Sequence, residues 1–152
     1  MVSPEPVATT FAGAGVVGTL VWAALEPIDR RVFRHDYSDV ALLGKAFTRR
    51  RGWLPLGLAI HAANGALFGL ALYEIAERRG GDRRRLALRL ALIEHLALFS
   101  TGALVDRFHP ARGEAGVAKL FSVKAFGQAT VRHAVFGLVL GLGAQDGPAR
   151  PG

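Results

Sequence analysis

Twenty consecutive residues, Pro6 to Leu25, carry no charge, and Trp22 near the end of the run fits an interfacial aromatic anchor. At 1.5 Å per residue a helix of that length is roughly 30 Å long, the thickness of a bilayer's hydrocarbon core. Gly52 to Tyr73 likewise holds no formally charged residue, with Trp53 and Tyr73 at its two ends, where membrane-interface aromatics sit. Leu86 to Val105 is a third apolar run, with Arg89 near its start and Glu94 and His95 at its middle. Ala125 to Ala144 is a fourth, interrupted by Arg132 and His133. The expected fold is therefore all-α: one integral membrane domain, 1–152, folded as a four-helix transmembrane bundle. Its spans are placed at about 6–25, 53–74, 86–105 and 125–144, with 145–152 as a flexible tail. Met1 to Pro6 contains no basic residue, so the first run reads as a span and not as a cleaved signal peptide.

Charge placement supports this reading better than average composition does. Hydrophobic residues make up 51% of the chain and charged ones 20%, and the mean hydropathy of +0.27 is modest for a membrane protein. Nearly all the charges, however, lie in short blocks between the apolar runs. The net charge of +7 invites a nucleic-acid reading, but the arginines flank apolar segments and line no single amphipathic face. That placement fits lipid headgroups, and no nucleic-acid partner is expected. The two long loops hold eleven basic residues against six in the Arg78–Arg85 turn and tail. By the positive-inside rule the long loops then face the cytoplasm of a bacterial-type inner membrane. The segment Asp39–Phe47 fits a short amphipathic helix at headgroup level.

The most organised pattern is His-Ala-x-x-Gly-x-x-x-Gly, which begins at His61 and again at His133. In the first copy Gly57, His61, Gly65, Gly69 and Tyr73 recur every four residues and form one helix ridge, with Asn64 close to the same face. The second copy carries Gly137 and Gly141. Glycine faces are where membrane helices approach closely, so both histidines are expected at helix contacts. Other fragments match in order: Asp29-Arg30 with Asp106-Arg107, His35 with His109, and Lys45-Ala46-Phe47 with Lys124-Ala125-Phe126. Together they imply a two-helix duplication, with half-repeats 6–76 and 85–144 related by a pseudo-two-fold axis along the membrane normal.

Asn64, Glu94, His95 and His133 fall near the midpoints of their spans, and His61 about one turn away. Polar residues converging at the midplane mark a functional site or a hydrogen-bonded lock on the packing. Three uses of such a centre differ in chemistry. Haem could be ligated between His61 and His133, a metal could be held by His61, Glu94, His95 and His133, and a proton or small solute could pass along Glu94 and the histidines. The loop residues Asp29, His35, Asp36, Asp106 and His109 could in principle serve acid–base chemistry, although solvated loops of this kind are ordinary membrane-boundary signals. The absence of cysteine excludes thiolate metal sites and thiol nucleophiles. No Gly-x-Ser-x-Gly, P-loop or dinucleotide fingerprint occurs.

The pattern Glu26-Pro27-Ile28-Asp29-Arg30-Arg31, followed by His61-Ala62-Ala63-Asn64-Gly65, resembles small polytopic, four-span membrane proteins of bacteria without an assigned activity. The resemblance covers the helical region and implies the architecture alone. The expectation is a non-enzymatic membrane bundle or homo-oligomer organised by a buried polar centre. A redox or transport protein using His61 and His133 is the alternative.

Overall fold

The computed structural model describes residues 4–144; the stretch 145–152, expected as a flexible tail, lies outside them. The described residues form six helices: α1 (Pro4–Phe33), α2 (Asp39–Phe47), α3 (Trp53–Arg79), α4 (Arg83–Phe99), α5 (Gly102–Phe108) and α6 (Val123–Gly143). Among them there is no β-strand, only a single antiparallel bridge between Tyr37 and Val117. Three helices are long and apolar enough to cross a membrane: α1 from Val7, α3, and α6. The helices α4 and α5 reach that length only as a pair, bent by 48° where they meet.

The run 86–105, expected as one continuous span, is thus broken at Ser100 and Thr101. The reason is local. Ser100 Oγ donates to the Ala97 carbonyl at 2.6 Å and Thr101 Oγ1 to the Leu98 carbonyl at 2.7 Å. Two successive hydroxyls therefore compete for carbonyls that the next helical turn would use.

Helix α1 departs from expectation in the other direction. Its apolar run ends at Leu25 but the helix continues to Phe33, so Glu26 and Asp29 are helical and buried. Asp29, expected in a solvated loop, is therefore no loop residue. The helix stops when Arg34 turns left-handed (φ 47°) and the His35 amide donates back to the Arg30 carbonyl, a Schellman-type end.

Helix α2 starts on a cap built from two elements. Ser38 Oγ accepts from the Ala41 amide at 3.0 Å and itself donates to the Glu26 carboxylate. Glu26 Oε1 then takes the Asp39 amide at 2.8 Å and the Val40 amide at 3.4 Å. These are the amides that a helix start leaves unpaired. The amphipathic helix foreseen here exists, but it lies against α3 at Val40 and Gly44, and its buried Ala41 packs with Ala111 and Val117.

Glycines set the helix spacing. A Cβ added at Gly15 would stand 1.9 Å from the Gly65 carbonyl oxygen, and one at Gly69 would stand 2.1 Å from the Phe11 oxygen. So α1 and α3 touch backbone to backbone, antiparallel. A Cβ added at Gly57 would stand 2.0 Å from the Val40 oxygen, which gives its side of the ridge to α2. On α6, a Cβ at Gly137 or at Gly141 would lie 2.9 Å from the Leu88 or Arg84 Cα, so that ridge closes on α4. Helices α1 and α6 form the seam between these two pairs.

The long loops lie at one end and clasp each other. His35 Nε2 donates to the Lys119 carbonyl, and His109 Nε2 to the Leu42 carbonyl, each at 2.9 Å. The Gly116 amide donates to Asp36 at 2.9 Å, while Asp106 accepts the Leu120 and Phe121 amides.

The Gly15–Gly65 contact predicts a sharp contrast. Gly15→Ala is expected to cost about 1–3 kcal/mol, because neither backbone can retreat easily. At Gly13 an added Cβ meets nothing within 4 Å, so Gly13→Ala should be neutral or stabilising by up to about 1 kcal/mol. Thermal unfolding of both variants in detergent micelles checks this.

Candidate functional site

Arg132, at the middle of α6, is among the largest fully buried side chains. Its Nη2 and Nε grip both oxygens of Asp29, the Nη2 contact at 2.6 Å. Nη1 donates to Asp39 Oδ2 at 2.7 Å, and Nη2 also reaches the Tyr37 carbonyl at 2.8 Å. Glu26 Oε1 lies 3.7 Å from Nη1. The guanidinium also stacks 4.8 Å from the Tyr37 ring centroid. One cation thus ties together α1, the start of α2, and α6. The Gln128 side chain, one turn earlier on α6, adds bonds to Asp29 at 2.6 Å and to the Tyr37 carbonyl at 3.2 Å.

Asp39 accepts from three different side chains. It accepts from the Tyr37 hydroxyl, from Trp22 Nε1 at 2.9 Å, and from Arg132. Burial alone would raise its pKa, but the Arg132 charge and the Tyr37 hydrogen bond outweigh burial and hold it below the ordinary 3.8. The Tyr37 phenol moves the opposite way, pushed up by burial and by the neighbouring Asp39 charge.

Trp22, expected as an interfacial anchor, is buried instead. The expectation took the end of the uncharged run for the end of the helix. The Trp22 ring packs edge-on against His61 at 5.2 Å and His133 at 4.6 Å between centroids. It therefore stands between the paired histidines.

Beside Trp22 lies a cavity of about 260 Å³, lined by residues of all six helices. Hydrogen bonding fixes the state of two of its histidines. His133 Nδ1 donates to the Ala129 carbonyl at 2.8 Å, so in the neutral ring Nε2 carries the lone pair, 4.0 Å from Glu94 Oε2. Thr130 gives its hydroxyl proton to the Phe126 carbonyl, so it accepts from His95 Nε2 at 2.9 Å and leaves His95 Nδ1 as an acceptor. His61 Nε2 is buried with no hydrogen-bond partner.

Of the five residues expected in a buried polar centre, His61, His95 and His133 are buried and line this cavity. Glu94, with 40% of its side chain exposed, stands at the cavity's edge. Asn64 is exposed: its three-residue offset from His61 carries it off the glycine ridge and toward the gap between α3 and α4. The loop candidates do not converge. Asp29 belongs to the arginine cluster, while His35, Asp106 and His109 secure the loops.

The cofactor alternatives meet this geometry poorly. The indole of Trp22 fills the gap that a haem macrocycle would need between His61 and His133. Among the described residues, no three His, Asp or Glu side chains are arranged to hold one metal ion. Arg132 was not among the residues expected in the polar centre, although its mid-span position is a signal in the sequence: an arginine there requires partners. Compared with known protein families, curated proteins and solved structures, the chain matches none.

Two predictions follow from the arginine cluster. Arg132→Leu strands its carboxylates and should cost about 3–5 kcal/mol, and Arg132→Lys cannot restore the forked contact to Asp29. Arg89→Leu, which removes an exposed arginine from α4, should be nearly silent in the same unfolding assay. Asp39 also makes stability depend on pH. Its contribution is complete above the ordinary aspartate value of 3.8 and is lost as pH falls through its lower folded-state value. The stability gap between the protein and Asp39→Asn, wide at neutral pH, should therefore narrow in acid.

Proposed function

We propose that the chain is an integral membrane protein, with α4 and α5 as a broken fourth span, and that its cavity binds a small amphipathic molecule taken from the bilayer without transforming it. The observation that carries this reading is His61 Nε2. A buried ring nitrogen left unpaired costs free energy, and the residue that carries it, His61, is one of those lining the cavity. Apolar side chains form most of the remaining wall, including Leu43, Phe68 and Leu98.

The rest of the bundle favours a pocket over a conduit. Toward the Gly80 turn the helices close on a core containing Phe11, Leu72, Leu140 and Ala144, each fully buried. The polar groups therefore gather in the half nearer the loops.

Duplication is part of the same proposal. Its support is that the α3 glycine ridge packs on α1 as the α6 ridge packs on α4, and that His35 and His109 each bond into the opposite loop. The halves have also diverged. No helix in the second half corresponds to α2, and the residue before His61 is Ile60 where Arg132 precedes His133.

The test uses 4-fluorobenzyl alcohol, an aromatic ring with one hydrogen-bonding group, and fluorine NMR of the protein in lipid nanodiscs against empty nanodiscs. Saturable binding is expected. His61→Phe should weaken it at least about tenfold, the scale of one lost hydrogen bond at a buried site, without lowering the unfolding temperature. No saturable binding, with His61→Phe lowering that temperature, would instead leave the polar centre a purely organising one.

A further inference from the structure

The charges around the cavity are one-sided. The chain carries a net charge of +7, yet no lysine or arginine lines the cavity, whereas Asp39 and Glu94 do. The nearest cation, Arg132, lies behind Asp39 and is already matched by Asp29, Asp39 and Glu26. Glu94 is different. Its ion-pair neighbour is His133, at 4.0 Å, a ring that carries no charge while neutral, when its Nε2 is an acceptor and its Nδ1 donates to Ala129. The ring nitrogens left free, His133 Nε2 and His95 Nδ1, add acceptors and no positive charge. The buried, unpartnered His61 Nε2 marks the same cavity as incomplete.

Aromatic faces supply the rest. Trp22, Tyr37, Phe68, Phe99 and Phe136 all contribute to the wall, and ring faces attract cations, most strongly where water is excluded. A carboxylate, several aromatic rings and no competing basic side chain form a receptor for positive charge on an apolar body. An anion would meet Glu94 with no lysine or arginine to compensate it.

The way in is lateral. Helix α3 packs chiefly on α1 and α2, and α4 chiefly on α6, which leaves a gap between α3 and α4. Exposed Asn64 stands on the α3 side of the cavity and half-exposed Glu94 on the α4 side.

We propose that the cavity's occupant is a lipophilic organic cation, an ammonium or related onium group on an apolar body, which enters from the bilayer between α3 and α4 with Glu94 as its counter-charge. The inference rests on the binding reading above and adds the charge of the ligand.

The test compares benzyltrimethylammonium with neopentylbenzene, its uncharged isostere, and with benzenesulfonate. Each competes against 4-fluorobenzyl alcohol on the full chain in phosphatidylcholine nanodiscs. The cation should compete at least about tenfold more strongly than the isostere, the scale of one desolvated cation–aromatic or charge contact, and the sulfonate should not compete. Glu94→Gln should reduce that preference to within about threefold with the unfolding temperature unchanged, and Glu94→Asp should restore part of it. Equal competition by cation and isostere would overturn the cation assignment while leaving the pocket a binding site. Failure of 4-fluorobenzyl alcohol itself to bind would overturn both readings. If Glu94→Gln does not fold, the comparison of cation with isostere on the unaltered protein still decides.

Discussion

A guanidinium at the middle of an apolar helix has no water to hydrate it, so the surrounding chain must supply what water would. At Arg132 the supply comes from three places in the sequence: Asp29 near the end of α1, the Tyr37 carbonyl in the first loop, and Asp39 at the start of α2. None can move without stranding charge, and stranded buried charge costs several kcal/mol. Glu26 extends the constraint by capping α2 while it faces the same guanidinium. The position of α2 is therefore set by electrostatics at its first turn and by the Gly44–Gly57 approach along its length. The cavity depends on both. Tyr37, Asp39, Leu42 and Leu43, at the start of α2 and along it, line one side, and Trp22 is pinned by its bond to Asp39.

How much of this was legible in the sequence follows from the range of each interaction. The glycine ridge of α3 is a local pattern: Gly57, Gly65 and Gly69 lie at fourfold spacing and all three pack against neighbouring helices. The break at Ser100 and Thr101 also has a local cause, although a hydropathy average passes over two adjacent hydroxyls. The arginine cluster has no local signature, because Arg132 lies 103 residues from Asp29 and 93 from Asp39. Sequence order offers only unmatched charges on both sides, and nothing in the spacing says which pair. Trp22 and Asp29 were misplaced for a shared reason. The end of an uncharged run was taken as the end of a helix, whereas buried pairing allowed α1 to carry its acids two turns further.

The two histidines show the same limit at closer range. Their repeated context marked them as related, and both do line the cavity. That an indole stands between them could not be inferred while Trp22 was assigned to the membrane surface. Once Trp22 is inside, the pair ceases to resemble an axial ligand set and becomes two walls packed against one ring.

The cleft between α3 and α4 follows from where the glycines are not. Close approach of membrane helices needs small residues on the facing surfaces. The glycines of α3 are committed to α1 and α2, and α4 contains none, with Ile93, Leu96 and Leu98 among its exposed positions. The glycines of α6 close on α4 from the other side. Two tightly joined pairs therefore share a broad seam between α1 and α6, while α3 and α4 meet only sparsely. Asn64 and Glu94 stand on either side of that opening. The sparse packing between α3 and α4 thus leaves the cavity edged by one amide and one acid where the other helix pairs meet through glycine.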